Sequence, residues 1–141
     1  GEWWASKTVG DLTLLKPYTV EADTSCTQCI ALMSKLGYDQ VPAINPDGTA
    51  QGVVTMGNLT SKIISGRVKG EDPISKVSYP QFHTVSKKTA LAEVSRLLEK
   101  NHFCLLMGTG KRSREGEVKN VVQGVVTRID LLHYITAGNG C

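Results

Sequence analysis

The sequence predicts an α+β fold made of two related halves, each with the element order strand, helix, strand, strand, helix. Two observations predict it. Segments of the chain repeat one another at long range, and in each half a helical apolar pattern lies between short strand-like runs. Each half of the 141 residues is too small to bury much surface alone, so we expect the halves to pack with pseudo-twofold symmetry. Such a pair creates clefts between its halves, where ligands bind preferentially.

The repeat is visible at two places in the chain. Thr19-Val20 is echoed by Thr84-Val85, 65 residues further on, and the run Gly-Val-Val-Thr at 52–55 recurs 72 residues further on, at 124–127. The second copy therefore carries seven extra residues. We place them in the stretch 108–120, because its polar, glycine-rich composition favours a loop that tolerates insertion.

The first half begins with a short extended lead-in at 17–20, followed by a helix. Thr24 is the predicted N-cap of this helix and Gly37 ends it. Its apolar face, at helical spacing, consists of Cys26, Ile30, Met33 and Leu36. A strand at 40–44 and a tight turn at 45–48 come next.

The strand 52–55 leads into the second helix of the first half, which we expect to start near Asn58 and to stop at Gly66. In the second half Thr89 is the predicted N-cap of the first helix, and the last helix runs from about residue 128 to Gly138. The apolar face of that first helix consists of Leu91, Val94, Leu97 and Leu98.

Composition limits the classes of function. The formal net charge is +3, from 16 Lys and Arg against 13 Asp and Glu, which is too small to indicate a nucleic-acid partner. No apolar run approaches the roughly 18 residues of a membrane span, and the start of the chain lacks a secretory signal. The four scattered cysteines do not form a disulfide framework, which favours a reducing, cytoplasmic compartment. We therefore expect neither a nucleic-acid nor a membrane partner.

Several reactive residue types have structural explanations. Cys26 and Cys29 form a CxxC pair, but no second pair completes a zinc site and Cys26 lies on the apolar face of a helix. The histidines, His83, His102 and His133, stand in no triad order with a serine or cysteine. The sequence therefore predicts no catalytic residue and no metal site.

The candidate chemistry follows the repeated strands. Thr127 ends a strand and Asp130 lies three residues further on, at the start of a helix. The two carboxylate oxygens can accept hydrogen bonds from a vicinal diol such as that of ribose, and the threonine hydroxyl can donate or accept. The same two residues can instead simply cap the helix, because an acid is favourable at a helix N-terminus.

The first copy differs at the position of the acid. Thr55 corresponds to Thr127, but Asn58 stands where the second copy has Asp130. An amide has one acceptor oxygen, and it forms weaker hydrogen bonds than a carboxylate. The sequence therefore predicts that the cleft of Asp130 fills first and that a second cleft, at Thr55 and Asn58, binds weakly or not at all.

The repeat resembles the CBS motif, and the pair resembles a Bateman module over nearly the whole chain. The signature Gly-apolar-apolar-Thr-x-x-Asp stands here at 124–130. The chain is also similar to the C-terminal regulatory region of the animal cystathionine β-synthases, and Trp3-Trp4 suits the linker that precedes that region. This wider resemblance rests on the segments 37–42, 52–55, 102–103 and 124–132.

The resemblance implies S-adenosylmethionine as the ligand. Thr127 and Asp130 would hold its ribose, and Asp39 would face the methionine or sulfonium end. The adenine edge would be read by the backbone of Tyr38, Gln40 and Val41. The apolar walls of the site would come from Pro17, Tyr18, Val125 and Ile129.

The resemblance further implies a regulatory fragment without catalytic residues. Its partner would be the catalytic domain of the same parent chain, which would hold pyridoxal phosphate, and the whole would be a homodimer. The implied boundaries are a linker at 1–15, a first CBS motif at 16–68, a connector at 69–80, a second motif at 81–138 with the inserted loop 108–120, and a tail at 139–141.

Two alternatives remain open at this point. The first is a sensor of AMP or ATP, in which Arg128 meets a phosphate. The second is an oligomerisation module that binds no ligand, in which the ring of Tyr18 fills the space that adenine would take.

Overall fold

The computed structural model describes residues 2–14, 17–110, 112–113, 116–117 and 120–138. The chain divides into two compact units, each with its own cluster of buried side chains. The first unit is Tyr18–Gln81, and the second unit combines Gly1–Pro17 with Phe82–Cys141. In each unit the main three-stranded sheet and its two helices follow the predicted order of strand, helix, strand, strand, helix, which confirms the α+β fold class.

The first unit is a three-stranded sheet with two helices. Strand β1 pairs in parallel with β2, which pairs in antiparallel fashion with β3 across the predicted turn. In that turn the Gly48 amide donates to the carbonyl of Asn45 at 2.9 Å. The elements are β1 (Val20–Glu21), α1 (Cys26–Leu36), β2 (Gln40–Ile44), β3 (Ala50–Thr55), α2 (Met56–Ile64) and a 3-10 turn (Ile74–Lys76).

The core of the first unit lies between its sheet and its helices. Ile74 and Val77, which follow α2 in the chain, are completely buried in it, so the segment predicted as a connector also contributes to this core. The other buried side chains include Cys26, Cys29, Met33, Val41, Ala43, Val54 and Leu59.

The predicted cap and face of α1 need correction. The N-cap is Ser25, not Thr24, because the Ser25 hydroxyl accepts a hydrogen bond from the Gln28 amide at 3.1 Å. Leu36 is 48% exposed, whereas Cys29 is buried and takes its place on the core face. Gly37 ends the helix as predicted, with a φ of 75° in the left-handed region that favours glycine.

The second unit repeats this architecture. Its main sheet has the order β4, β5, β8, with a parallel and an antiparallel pairing. The elements are β4 (Thr84–Val85), α3 (Leu91–Lys100), β5 (Phe103–Gly108), β6 (Arg112–Ser113), β7 (Gly116–Glu117), β8 (Val121–Thr127) and α4 (Arg128–Gly138). The buried side chains of its core include Val9, Val85, Leu91, Val94, Leu98, Cys104 and Val126.

Two expectations for the second unit were wrong. The N-cap of α3 is Ala90, which forms no side-chain cap, while the Thr89 hydroxyl accepts from the Ser86 amide at 3.0 Å. The stretch 108–120 is also more than a loop, because β6 and β7 pair within it as a small antiparallel ribbon. The other residues of this stretch at 111, 114–115 and 118–119 lie outside the described residues, as does the predicted tail at 139–141.

The N-terminal segment is part of the second unit. Val9, in a 3-10 turn (Val9–Asp11), is 1% exposed within its core. The Val9 amide donates to the Thr89 carbonyl at 2.9 Å, and the Leu91 amide donates to the Lys7 carbonyl at 2.7 Å. The role of 1–15 as a linker to a catalytic domain stays a prediction.

Candidate functional site

Thr127 and Asp130 are in direct contact where β8 passes into α4. The Asp130 Oδ2 atom accepts a hydrogen bond from the Thr127 amide at 2.8 Å and another from its hydroxyl at 3.0 Å. Both residues are half-buried. The Asp130 Oδ1 atom accepts no hydrogen bond from the described residues. The carboxylate thus lies in the first turn of α4, where the helix dipole favours negative charge.

The same arrangement occurs at a second place in the second unit. Asp11 Oδ2 accepts from the Thr8 amide at 2.9 Å and from the Thr8 hydroxyl at 3.3 Å. At Thr8 and Asp11 these contacts belong to a capping box, in which an acid accepts from the N-cap amide at a helix start, and Asp130 makes the same bond to the Thr127 amide. Thr127 and Asp130 therefore do cap α4, and only the uncommitted oxygen of Asp130 is left for another role.

The equivalent residues of the first unit are bonded differently. The backbone amide of Asn58 donates to the Thr55 hydroxyl at 3.1 Å. This hydroxyl is therefore an acceptor, whereas the hydroxyl of Thr127 is a donor. Thr55 is the N-cap of α2, which consequently begins at Met56 rather than near Asn58. No carboxylate takes part in this cap, in agreement with the chemical difference between the two copies.

The segment that was predicted to read adenine is firmly held. The Tyr38 amide donates to the Met33 carbonyl at 3.0 Å, and the Asp39 carbonyl accepts from the Met56 amide at 2.8 Å. Gln40 and Val41 are in β2, where they pair with β3, and the Val41 side chain is buried in the core. In Tyr38 it is therefore the carbonyl, not the amide, that is available to a ligand.

The remaining predicted wall residues occupy different surroundings. Tyr18 stacks on Tyr38 with ring centroids 5.1 Å apart and ring planes at 4°. Pro17 lines a cavity of about 400 Å³ in the second unit, beside Leu12 and Leu14. Val125 is in β8 opposite Leu105, and Ile129 is 60% exposed on α4.

The predicted site residues fall in both units. The predicted cleft between the halves stays a prediction. The first unit brings together Tyr18, Tyr38, Asp39, Gln40 and Val41 near one end of β2. The second unit contains Pro17, Val125, Thr127, Ile129 and Asp130.

Arg128 has a structural role that the sequence did not reveal. Its Nε atom donates to the Leu98 carbonyl at 2.6 Å and its Nη2 atom donates to the Glu99 carbonyl at 3.2 Å. These carbonyls belong to the last turn of α3, where cations are favourable. A phosphate at Arg128 would have to compete with both contacts. No local sequence pattern predicts these two hydrogen bonds, because their acceptors lie about 30 residues away in the chain.

The described cysteines are buried and free. Burial raises the pKa of Cys29 to about 11, with a smaller contribution from neighbouring Cys26. Burial also raises the pKa of Cys104 to about 11, and the negative charge of Asp130 adds to this effect. These thiols are therefore protonated at neutral pH and poorly nucleophilic. Among the described residues, no three His, Cys, Asp or Glu side chains form a group that could hold a metal ion.

Comparison with known proteins identifies the family. The family model described as the CBS domain matches residues 9–65. The chain contains a CBS domain. The cystathionine beta-synthase of Mus musculus is 33% identical over 96% of this chain, and that of Dictyostelium discoideum is 32% identical over 95%. The chain spans only 27% and 26% of the length of these two relatives.

Solved structures of CBS-domain proteins share the fold of this chain. CBSX2 in complex with AMP has a TM-score of 0.72 at 21% identity, covering 94% of this chain and 98% of that one. CbpB in complex with c-di-AMP has a TM-score of 0.76 at 13% identity, covering 94% of this chain and 87% of that one. In the part of the chain that the structure describes, no helix combines the length and apolar character that crossing a bilayer requires.

Proposed function

We propose that this CBS-domain protein is a regulatory module that binds S-adenosylmethionine. The observation that carries the proposal is the state of the Asp130 carboxylate. Its Oδ2 atom is committed to Thr127, while its Oδ1 atom accepts no hydrogen bond from the described residues. A carboxylate oxygen has two lone pairs, which suit the two hydroxyls of a ribose, and charge-assisted bonds of this kind are strong.

The other parts of the ligand would be held by the residues that the resemblance implies. The Tyr38 carbonyl and the backbone of Gln40 and Val41 would read the adenine edge. Pro17, Tyr18, Val125 and Ile129 would supply apolar contacts. Asp39 is exposed and forms no ion pair with the described residues, so its charge is available to attract a sulfonium.

The biological role follows from the relatives. The named relatives are cystathionine beta-synthases, of which this chain matches about a quarter. We therefore propose that the module controls or stabilises the catalytic domain of such a synthase, a pyridoxal-phosphate lyase, in a cytoplasmic homodimer. Pyridoxal phosphate would belong to that catalytic domain. Ligand can shift the enzyme only by binding two of its states with different affinity.

A sensor of AMP or ATP is the second candidate. It is favoured by CBSX2, whose structure is a complex with AMP. The contacts of Arg128 argue against it, because the guanidinium already donates to two carbonyls of α3. S-adenosylmethionine has no phosphate group, so it does not require Arg128 to bind one. The first candidate is therefore the better supported one.

Titration calorimetry of the chain with S-adenosylmethionine, AMP and ATP tests the proposal. We expect S-adenosylmethionine to bind and, at about 100 times its Kd, to add roughly 2.7 kcal/mol to the free energy of unfolding. Tight binding of AMP without binding of S-adenosylmethionine would favour the second candidate. If no adenosyl compound binds, both sensor functions are wrong, and the result favours an oligomerisation module that binds no ligand.

A further inference from the structure

Tyr18 and Tyr38 form an aromatic pair in the ligand-free first unit. Their ring centroids are 5.1 Å apart and their planes are almost parallel, at 4°, which is a favourable offset stack. Tyr38 is 44% exposed, whereas Tyr18 is half-buried and packs against the core. One face of the Tyr38 ring is therefore covered by a side chain of the same protein.

The two rings are anchored to different degrees. Tyr38 is fixed on both sides, because its amide donates to the Met33 carbonyl at 3.0 Å and the next carbonyl, that of Asp39, accepts from Met56 at 2.8 Å. Tyr18 lies before β1, and its backbone forms no hydrogen bond with the described residues. The backbone that carries the Tyr38 ring is thus fixed, and the Tyr18 ring is held by its stack on Tyr38 and by its packing against the core.

A flat aromatic ring beside the backbone that we propose reads adenine is a surface on which a purine can stack. Base stacking on aromatic side chains is a general source of affinity and depends little on the identity of the base. A purine and the Tyr18 ring cannot cover the same face of Tyr38 at once. Binding on that face therefore requires the stack of Tyr18 on Tyr38 to open.

We propose that Tyr18 sets the affinity of the adenosyl site by competing with the adenine for the Tyr38 ring. This inference rests on the proposed function, in which Tyr18 supplies an apolar contact, and it gives the stacked form of Tyr18 an effect that weakens binding. The competition costs the ligand the free energy of the tyrosine stack. Removing the Tyr18 ring should therefore tighten adenosine and S-adenosylmethionine binding by roughly 3- to 10-fold.

The test compares Tyr18→Leu with Tyr134→Leu by titration calorimetry. Leucine retains apolar bulk at position 18 but cannot stack. Tyr134→Leu is the matched control, since it disrupts the Trp3–Tyr134 ring pair of the second unit, with centroids 5.7 Å apart. We expect 3- to 10-fold tighter binding in Tyr18→Leu and unchanged binding in Tyr134→Leu.

The outcomes separate this inference from the proposed function. If the unaltered chain binds S-adenosylmethionine but Tyr18→Leu binds it equally or more weakly, Tyr18 is only a wall and the inference is wrong, while the proposed function stands. If neither binds any adenosyl compound, the proposed function itself is wrong.

Hydroxyl-radical footprinting without ligand tests the stack directly. Oxidation of Tyr38, measured by mass spectrometry, should increase in Tyr18→Leu and stay constant in Tyr134→Leu. Equal oxidation of Tyr38 in all three proteins would show that Tyr18 does not cover this ring, and would overturn the inference whatever the calorimetry gives.

Discussion

Thr127 donates two hydrogen bonds to a single oxygen of Asp130, one from its amide and one from its hydroxyl. Thr8 and Asp11 form the same pair of contacts at the start of a 3-10 turn. The first pair lies in the signature of the CBS motif, and the second does not. The chain thus contains an internal control that separates helix capping from ligand binding.

Asp130→Asn and Asp11→Asn should have similar effects on stability and different effects on binding. Each replacement weakens a capping box, so we expect the free energy of unfolding to fall by about 0.5–2 kcal/mol in both variants. Only Asp130→Asn should lose the thermal shift produced by S-adenosylmethionine. Urea unfolding and thermal shift measure the two quantities. An undiminished thermal shift in Asp130→Asn would show that this carboxylate only caps α4.

Asn58→Asp should give the first copy the carboxylate that it lacks. In the unaltered chain we expect about one adenosyl ligand per chain, because the side-chain amide of Asn58 is a poorer partner for a diol than the carboxylate of Asp130. The new carboxylate should raise the stoichiometry toward two in calorimetry. It should also stabilise α2 by about 0.3–1 kcal/mol, since it lies in the first turn. Two equal sites in the unaltered chain would contradict the predicted difference between the copies.

The buried thiols should make stability depend on alkaline pH. Burial raises the pKa of Cys104 from 9.0 to about 11, so the folded chain retains a proton that the unfolded chain loses. The stability from this group is complete below pH 9 and disappears as the pH rises toward 11. We expect a loss of about 1–3 kcal/mol, measured by urea unfolding at several pH values.

Cys104→Ala is the control for this alkaline effect. The variant is less stable at every pH because it leaves a cavity, but its stability should fall less steeply above pH 9. Parallel curves for the variant and the unaltered chain would mean that other groups cause the decline.

Gly52→Ala should cost more stability than Gly124→Ala, although the two glycines occupy equivalent positions in the repeat. A Cβ at position 52 would lie 2.9 Å from the Tyr79 carbonyl oxygen, which is fixed by its bond to the Val53 amide. At position 124 it would meet the flexible end of Leu14 at 3.2 Å. We expect losses of about 1–3 kcal/mol for Gly52→Ala and less than about 1 kcal/mol for Gly124→Ala in urea unfolding. Equal losses would mean that the backbone at Tyr79 can move aside.

The sequence predicted the strands and helices well where local rules decide them. The strand Gln40–Ile44, the turn at Gly48 and the end of α1 at Gly37 agree with the structure. The caps were predicted less well, since Thr24 and Ser25 are both good caps and only the contact with Gln28 selects Ser25. The burial of Cys29 in place of Leu36 likewise depends on which face of α1 meets the sheet.

The sequence by itself determined the two-copy architecture, the family and the chemical difference between Asp130 and Asn58. The architecture follows from the spacing of the repeated segments, the family from the resemblance of their motifs to the CBS motif, and the difference between the copies from side-chain chemistry. Only the tertiary structure decided that the N-terminal segment joins the second unit, that Arg128 binds the end of α3 and that Tyr18 covers Tyr38. Each of these contacts joins residues that are far apart in the chain, and packing rather than local preference selects such partners.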